Sequence, residues 1–137
     1  MSDMFSVFGV SGSALDVYKT WINAVSDNVA NADNTSPTSG PAFQARYIVA
    51  QDVPGGTDGT GAGVKVAGVE YGPAGGIEVY DPGNPMADNK GMVRKPDMDM
   101  GEQMTSLIIA QRGYEANLAV VSRAQSAYQA ALSIGNA

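Results

Sequence analysis

Apolar residues recur at alternating three- and four-residue steps through the last part of the chain, from Asp99 to Ile134. This spacing predicts a helix with one narrow stripe, which is typical of the a/d seam of a coiled coil. A helix of this length runs roughly 50 Å, too far to be buried in so small a domain, so we expect it to find a partner. The stripe consists of Met104, Leu107, Gln111, Tyr114, Leu118, Val121, Gln125, Tyr128 and Leu132.

Both ends of this helix carry sequence signals. Asp99 lies three residues before Glu102, which predicts an N-cap with a capping-box partner. Gly135 is expected to follow the helix as a left-handed C-terminal residue.

A second stripe of the same period predicts another long helix near the N-terminus. It begins between Met4 and Ser11 and ends at about Ala32, before a run of turn-forming residues that reaches Pro37. The stripe consists of Phe8, Leu15, Tyr18, Ile22, Val25 and Val29.

The centre of the chain changes to a period of two residues. Alternation from Phe43 towards Val53 predicts a strand, and Val64 to Tyr71 and Ile77 to Tyr80 predict two more. The glycine-rich segment from Pro54 to Gly63 between the first two is expected to be a flexible loop. Turn residues from Asp81 to Gly91 precede a last short apolar segment.

These patterns predict a mainly α fold with a small β insert. Two long terminal helices form a coiled-coil-like pair, and the centre is a short antiparallel β module. The expected boundaries are residues 1–36 for the N-terminal helix, 37–96 for the insert and 97–137 for the C-terminal helix. Such a chain of 137 residues is one small module with long extensions.

Charge and composition narrow the function. The net charge is −6, with only eight Lys and Arg residues, which argues against a nucleic-acid partner and against an anionic membrane surface. No apolar run approaches the roughly 20 residues that cross a bilayer, so no membrane insertion is expected. The first ten residues lack the basic region and cleavage site of a Sec signal.

The usual chemistry of enzymes is missing. The sequence contains neither His nor Cys, and the glycine loop lacks the Lys-Ser/Thr ending of a phosphate-binding loop. Asp97, Asp99 and Glu102 could suggest calcium, but acids at a helix N-terminus are better explained by the helix dipole. We therefore expect no enzyme activity, no cofactor and no metal.

Asn28 and Asn31 allow two interpretations. Asn is a poor residue for a helix interior, yet these two lie three residues apart and so share one face. In one interpretation Asn31 caps the helix and Asn28 is solvated. In the other, their amides form hydrogen bonds to neighbouring helices where the chain leaves the helical bundle. The spacing favours neither.

The same residues carry a family resemblance. Residues 27–33, Asp-Asn-Val-Ala-Asn-Ala-Asp, resemble the signature that closes the first helix of bacterial flagellar rod and hook proteins, although Asp27 replaces an Asn and Asn34 is inserted before Thr35. The segments 80–99 and 102–117 resemble the proximal-rod members of that family, with Gly113 as a small departure.

The resemblance implies a structural axial subunit of the proximal rod in the flagellar basal body, transmitting torque across the periplasm. Family members pack their terminal helices into a tubular core and are exported unfolded by the flagellar type III apparatus. The implied partners are other flagellar rod proteins, the rod-to-MS-ring adaptor protein and copies of the chain itself. Two alternatives stay open, another short rod subunit and a soluble two-helix module that binds one partner.

The residues expected at interfaces come from both helices. Besides the C-terminal stripe they are Leu15, Tyr18, Ile22, Val25, Asn28, Val29 and Asn31.

Overall fold

Two long helices enclose a small β region. The computed structural model describes residues 2–55 and 61–135, with side chains from Ser6 onward. Helix α1 spans Ser2–Ala30 and helix α2 spans Met100–Gly135. Between them lie β1 (Arg46–Asp52), β2 (Val64–Tyr71), β3 (Ile77–Tyr80) and β4 (Met92–Lys95). The mainly helical fold with a small β insert is confirmed. Residues 56–60 of the loop expected at 54–63 lie outside the described residues.

Helix α1 differs from expectation at both of its ends. Helix α1 begins at Ser2, earlier than predicted, although it contains Gly9 and Gly12. It also ends at Ala30 rather than Ala32, where the Asn31 amide bonds to the carbonyls of Asp27 and Asn28. The helix therefore continues through both glycines, although each costs about 1 kcal/mol relative to alanine in a helix.

The predicted start of α2 is confirmed and its predicted end is wrong. The Asp99 side-chain Oδ1 accepts a hydrogen bond of 3.0 Å from the Glu102 amide, as an N-cap does. Gly135 is the last helical residue and does not have a positive φ. A Cβ at Gly135 would meet nothing within 4 Å, so no packing contact demands a chain reversal there.

The four strands form two separate antiparallel hairpins. Strands β1 and β2 pair from Arg46↔Tyr71 to Asp52↔Val64, with an irregularity between Val49 and Ala50. Strands β3 and β4 pair over four residues, and Ser36 bridges Arg94 on the other side of β4. Strand β2 and strand β3 have the predicted bounds, whereas β1 starts at Arg46 rather than Phe43. Two-stranded sheets are marginal alone, so each hairpin needs packing from outside.

Helix α1 supplies that packing for the β1–β2 hairpin, because it contacts both of its strands as well as α2. Its buried side chains include Val17, Ala24 and Val25. A second small core beside the β3–β4 hairpin contains Ala42 and Val93. The apolar interior is thin, so a few central residues hold the elements together.

The turn from Asp81 to Gly91 is organised by the Asp88 carboxylate. Its Oδ1 accepts hydrogen bonds from the Lys90 amide at 2.8 Å and the Met92 amide at 3.0 Å. Its Oδ2 accepts one from the Thr38 hydroxyl at 2.9 Å. Because these donors favour the charged form, chiefly the Met92 amide, the pKa of Asp88 lies below its ordinary value of 3.8.

The lowered pKa predicts a loss of stability in acid. The stabilisation from Asp88 is complete above the ordinary pKa of 3.8 and is lost as the pH falls through the lowered folded-state pKa. Between about pH 5 and about pH 2 the free energy of unfolding should therefore fall more for the wild type than for Asp88→Asn. Urea unfolding followed by Trp21 fluorescence measures both. Glu70→Gln, which removes an exposed carboxylate of β2, controls for the loss of one charge. A fall for Asp88→Asn as large as that of the wild type would contradict the assignment.

Candidate assembly interface

The face that α2 turns towards α1 keeps the predicted heptad period but includes different residues. Ala110 is fully buried and Gln103 is 2% exposed, while the other positions of this stripe are half-buried. Four members belong to the stripe predicted from sequence. The inner stripe consists of Gln103, Leu107, Ala110, Tyr114, Asn117, Val121, Ala124 and Tyr128.

The remaining five predicted positions on α2 are exposed in the chain. They are Met104, Gln111, Leu118, Gln125 and Leu132.

Side-chain size explains the difference. At each turn the residue one position earlier is smaller or polar, and Ala110 brings the helix backbones close where Gln111 would hold them apart. Choosing the larger side chain at these five steps moves those positions of the predicted stripe by one residue. The assignment of the five exposed positions, from Met104 to Leu132, to an intermolecular contact stays a prediction.

Helix α1 uses two faces rather than one stripe, because it packs on both α2 and the hairpin. Val25 and Asn28 are buried. Of the other predicted positions, Leu15, Tyr18, Ile22, Val29 and Asn31 are half-buried. The sequence pattern missed Val17 and Ala24, since two adjacent faces blur the heptad signal.

Asn28 joins three elements through its side-chain amide, which is fully buried. Its Nδ2 donates to the Arg46 carbonyl and to Gln103 Oε1, each at 2.9 Å, and its Oδ1 accepts from the Arg46 amide at 2.8 Å. The Asn28 amide therefore pairs with the backbone of β1 at Arg46, and it also bonds to Gln103 in the first turn of α2. Of the two interpretations of Asn28, the structure shows the bond to the neighbouring helix.

Asn31 acts only locally. Its Nδ2 donates to the Asp27 carbonyl at 2.8 Å and to the Asp27 carboxylate at 3.2 Å, and its Oδ1 accepts from Asn34. Asp27 also forms an ion pair with Arg46 at 2.8 Å, between partly exposed side chains. The structure thus gives Asn31 the capping role.

Tyr18 packs against α2 at Gly113. A Cβ at Gly113 would overlap the Tyr18 ring, so only glycine fits beneath it. The ring also stacks on Trp21, with centroids 6.2 Å apart. Beside the Tyr18 and Trp21 rings, α1, α2 and the β1–β2 hairpin line an open groove of about 420 Å³. It is lined by Ala14, Val17, Tyr18, Trp21, Ile48, Ala50, Val64 and Asn117.

Comparison with known proteins identifies the family. Residues 89–134 match the family model described as flagellar basal body rod FlgEFG protein C-terminal. The chain is 36% identical to the flagellar basal-body rod protein FlgC of Escherichia coli O157:H7, over 96% of this chain and 98% of that protein. It is 33% identical to FlgC of Borreliella burgdorferi, over 96% of this chain and 97% of that protein. This chain belongs to the FlgC family of flagellar basal-body rod proteins.

Membership of the FlgC family gives the chain a structural role as a subunit of the flagellar basal-body rod. It assembles in the basal body with other rod components. Within residues 2–55 and 61–135, neither helix is long and apolar enough to cross a membrane. The inner stripe and Asn28 therefore belong to the internal architecture of a rod subunit.

The two asparagines form a matched pair for testing this architecture. Asn28→Ala leaves the buried Gln103 side chain and the part-buried Arg46 backbone groups without this partner, and a fully buried orphan costs about 1–3 kcal/mol. We expect it to lower the free energy of unfolding by about 2–4 kcal/mol. Asn31→Ala should cost less than about 1 kcal/mol, because its bonds are local and partly solvated. Urea unfolding of both variants measures the difference; equal losses would show that Asn28 is not the link.

Two helical glycines should respond to alanine in opposite directions. Alanine is favoured over glycine in a helix by about 1 kcal/mol, so Gly12→Ala, with open space around it, should stabilise by about that amount. Gly113→Ala should instead destabilise by about 1–3 kcal/mol because the new methyl meets Tyr18. In the presence of Tyr18→Ala, which removes the ring, Gly113→Ala should no longer destabilise the protein. Thermal unfolding of the double variant, compared with Tyr18→Ala alone, measures this. Stabilisation by both single changes would refute the close contact.

Proposed function

We propose that the helical ends, residues 1–36 and 97–137, form the axial core of the rod through intermolecular coiled-coil contacts. The insert, residues 37–96, packs laterally on that core. In this arrangement the subunit transmits torque across the periplasm. The observation that carries the proposal is that α2 presents apolar side chains outside its inner stripe along its whole length.

These exposed side chains form two edges that flank the inner stripe. Leu118 is 50% exposed on one edge and Ile109 is 52% exposed on the other. The first edge carries the apolar residues Met104, Ile108, Leu118 and Leu132, with the polar Gln111 and Gln125 among them. The second edge consists of Ile109, Ala116, Val120, Ala127, Ala130 and Ile134.

A helix that pairs only with α1 would need one apolar face, because the side turned to water carries no reason to be apolar. Two further apolar edges on one helix fit a multi-helix packing with neighbours on both sides. A module that captures a single partner would need one such edge. The edges therefore favour a polymer subunit over the two-helix binding module.

Membership of the FlgC family supports the partners that we propose. They are other rod proteins, the adaptor between the rod and the MS ring, and further copies of this chain. Assembly across the periplasm requires export, for which we propose the flagellar type III apparatus acting on the unfolded chain. A subunit of this kind is structural rather than enzymatic.

Leu118→Asp tests the contact on the first edge. A carboxylate buried there without a counter-ion costs several kcal/mol, so we expect loss of incorporation into rods while export continues. The measurement is swimming, together with immunoblots of purified basal bodies and of exported protein. Ala67→Asp places the same charge on an exposed residue of β2 and should leave all three unchanged. Normal rods in the Leu118→Asp strain would show that this edge lies outside the core.

A further inference from the structure

The two edges of α2 differ in side-chain size. The first edge carries long side chains such as Met104, Ile108 and Leu118. The second edge alternates Ala116, Ala127 and Ala130 with branched residues, so it offers shallow hollows. Long side chains on one surface and small ones on the other can interdigitate, whereas two copies of either edge facing each other match less well.

The edges also differ in charge. Glu115 lies on the first edge between Gln111 and Leu118, and Arg123 lies on the second edge between Val120 and Ala127. Both side chains are exposed. Neither has an ion-pair partner within the part of the chain that the structure describes. Opposite charges on opposite flanks of one helix suit a neighbour that presents the other flank.

We propose that the first edge of α2 in one copy of this chain packs on the second edge of α2 in the next copy, with Glu115 facing Arg123. The inference rests on the proposed function and names the surfaces that meet. The neighbour is a second copy of this chain, because both edges of the contact, matched in shape and in charge, are present on one helix.

The sequence positions fix the offset between copies. With the two helices parallel, pairing Glu115 with Arg123 shifts one copy by eight residues, which is roughly 12 Å along the axis. The same shift places Ile108 opposite Ala116, a larger side chain over a smaller one. One displacement therefore satisfies charge and shape together.

The symmetry of the contact follows from its two different halves. A two-fold dimer that pairs Glu115 with Arg123 would pair Arg123 with Glu115 in return, which needs antiparallel helices and closes the contact after two copies. A parallel contact between unlike edges leaves one edge free on each terminal copy, so it generates a ring or an open helical polymer. This contact adds copies in one direction and does not stop at a dimer.

Disulfide trapping tests the contact, because the chain has no cysteine of its own. The double variant Glu115→Cys/Arg123→Cys is expressed in place of the wild-type chain, and basal bodies are oxidised before non-reducing electrophoresis. We expect a ladder of trimers and larger species, since each copy links to the next. Glu115→Cys alone and Arg123→Cys alone should each remain monomeric.

Charge reversal gives an independent readout. Glu115→Arg and Arg123→Glu should each reduce incorporation into rods several-fold, and combining them should restore it, because the pair is re-formed with exchanged signs. Dimers without larger species from the double-cysteine variant would indicate an antiparallel two-fold contact, and dimers from either single-cysteine variant would indicate a contact between like edges. Either result would overturn the proposal. Intact rods without any ladder would also overturn it. Neither result would touch the proposed function, which Leu118→Asp tests by itself.

Discussion

The architecture depends on one buried side chain, the amide of Asn28. A polar group in so small an interior is tolerated only when its hydrogen bonds are made, and here all of them are made to two other elements. The bonds to Arg46 fix where the chain enters β1, and the bond to Gln103 fixes where α2 begins to run along α1. Apolar contacts alone would allow the helices to slide, because a heptad stripe repeats itself. The amide removes that freedom.

The second constraint is the close approach of the helices farther along the pair. The ring of Tyr18 packs directly on Gly113, and Ala110 is fully buried. Gly113 and Ala110 let the backbones approach at this level, and larger neighbours of small or polar inner residues, such as Leu118 beside Asn117, lie on the flank. Part of the exposed first edge of α2 thus follows from how its inner face is built.

The sequence predicted the period and the order of elements well, because helix and strand periods and turn residues are local signals. Strand β2 has its predicted bounds, and Asp99 caps α2 as expected. It did not predict which side of α2 faces α1, since tertiary packing selected Ala110 over its larger neighbour. The two roles of Asn28 and Asn31 could not be separated by spacing, because burial decides between them and burial depends on β1.

A density map of purified basal bodies at side-chain resolution tests the central claim most directly. We expect Asn28 to bond to Gln103 and Arg46 of its own chain in the rod as well. The edges of α2 outside the inner stripe should become buried against neighbouring helices. A map in which Asn28 contacts another subunit, or in which Leu118 and Val120 remain in solvent, would contradict the claim.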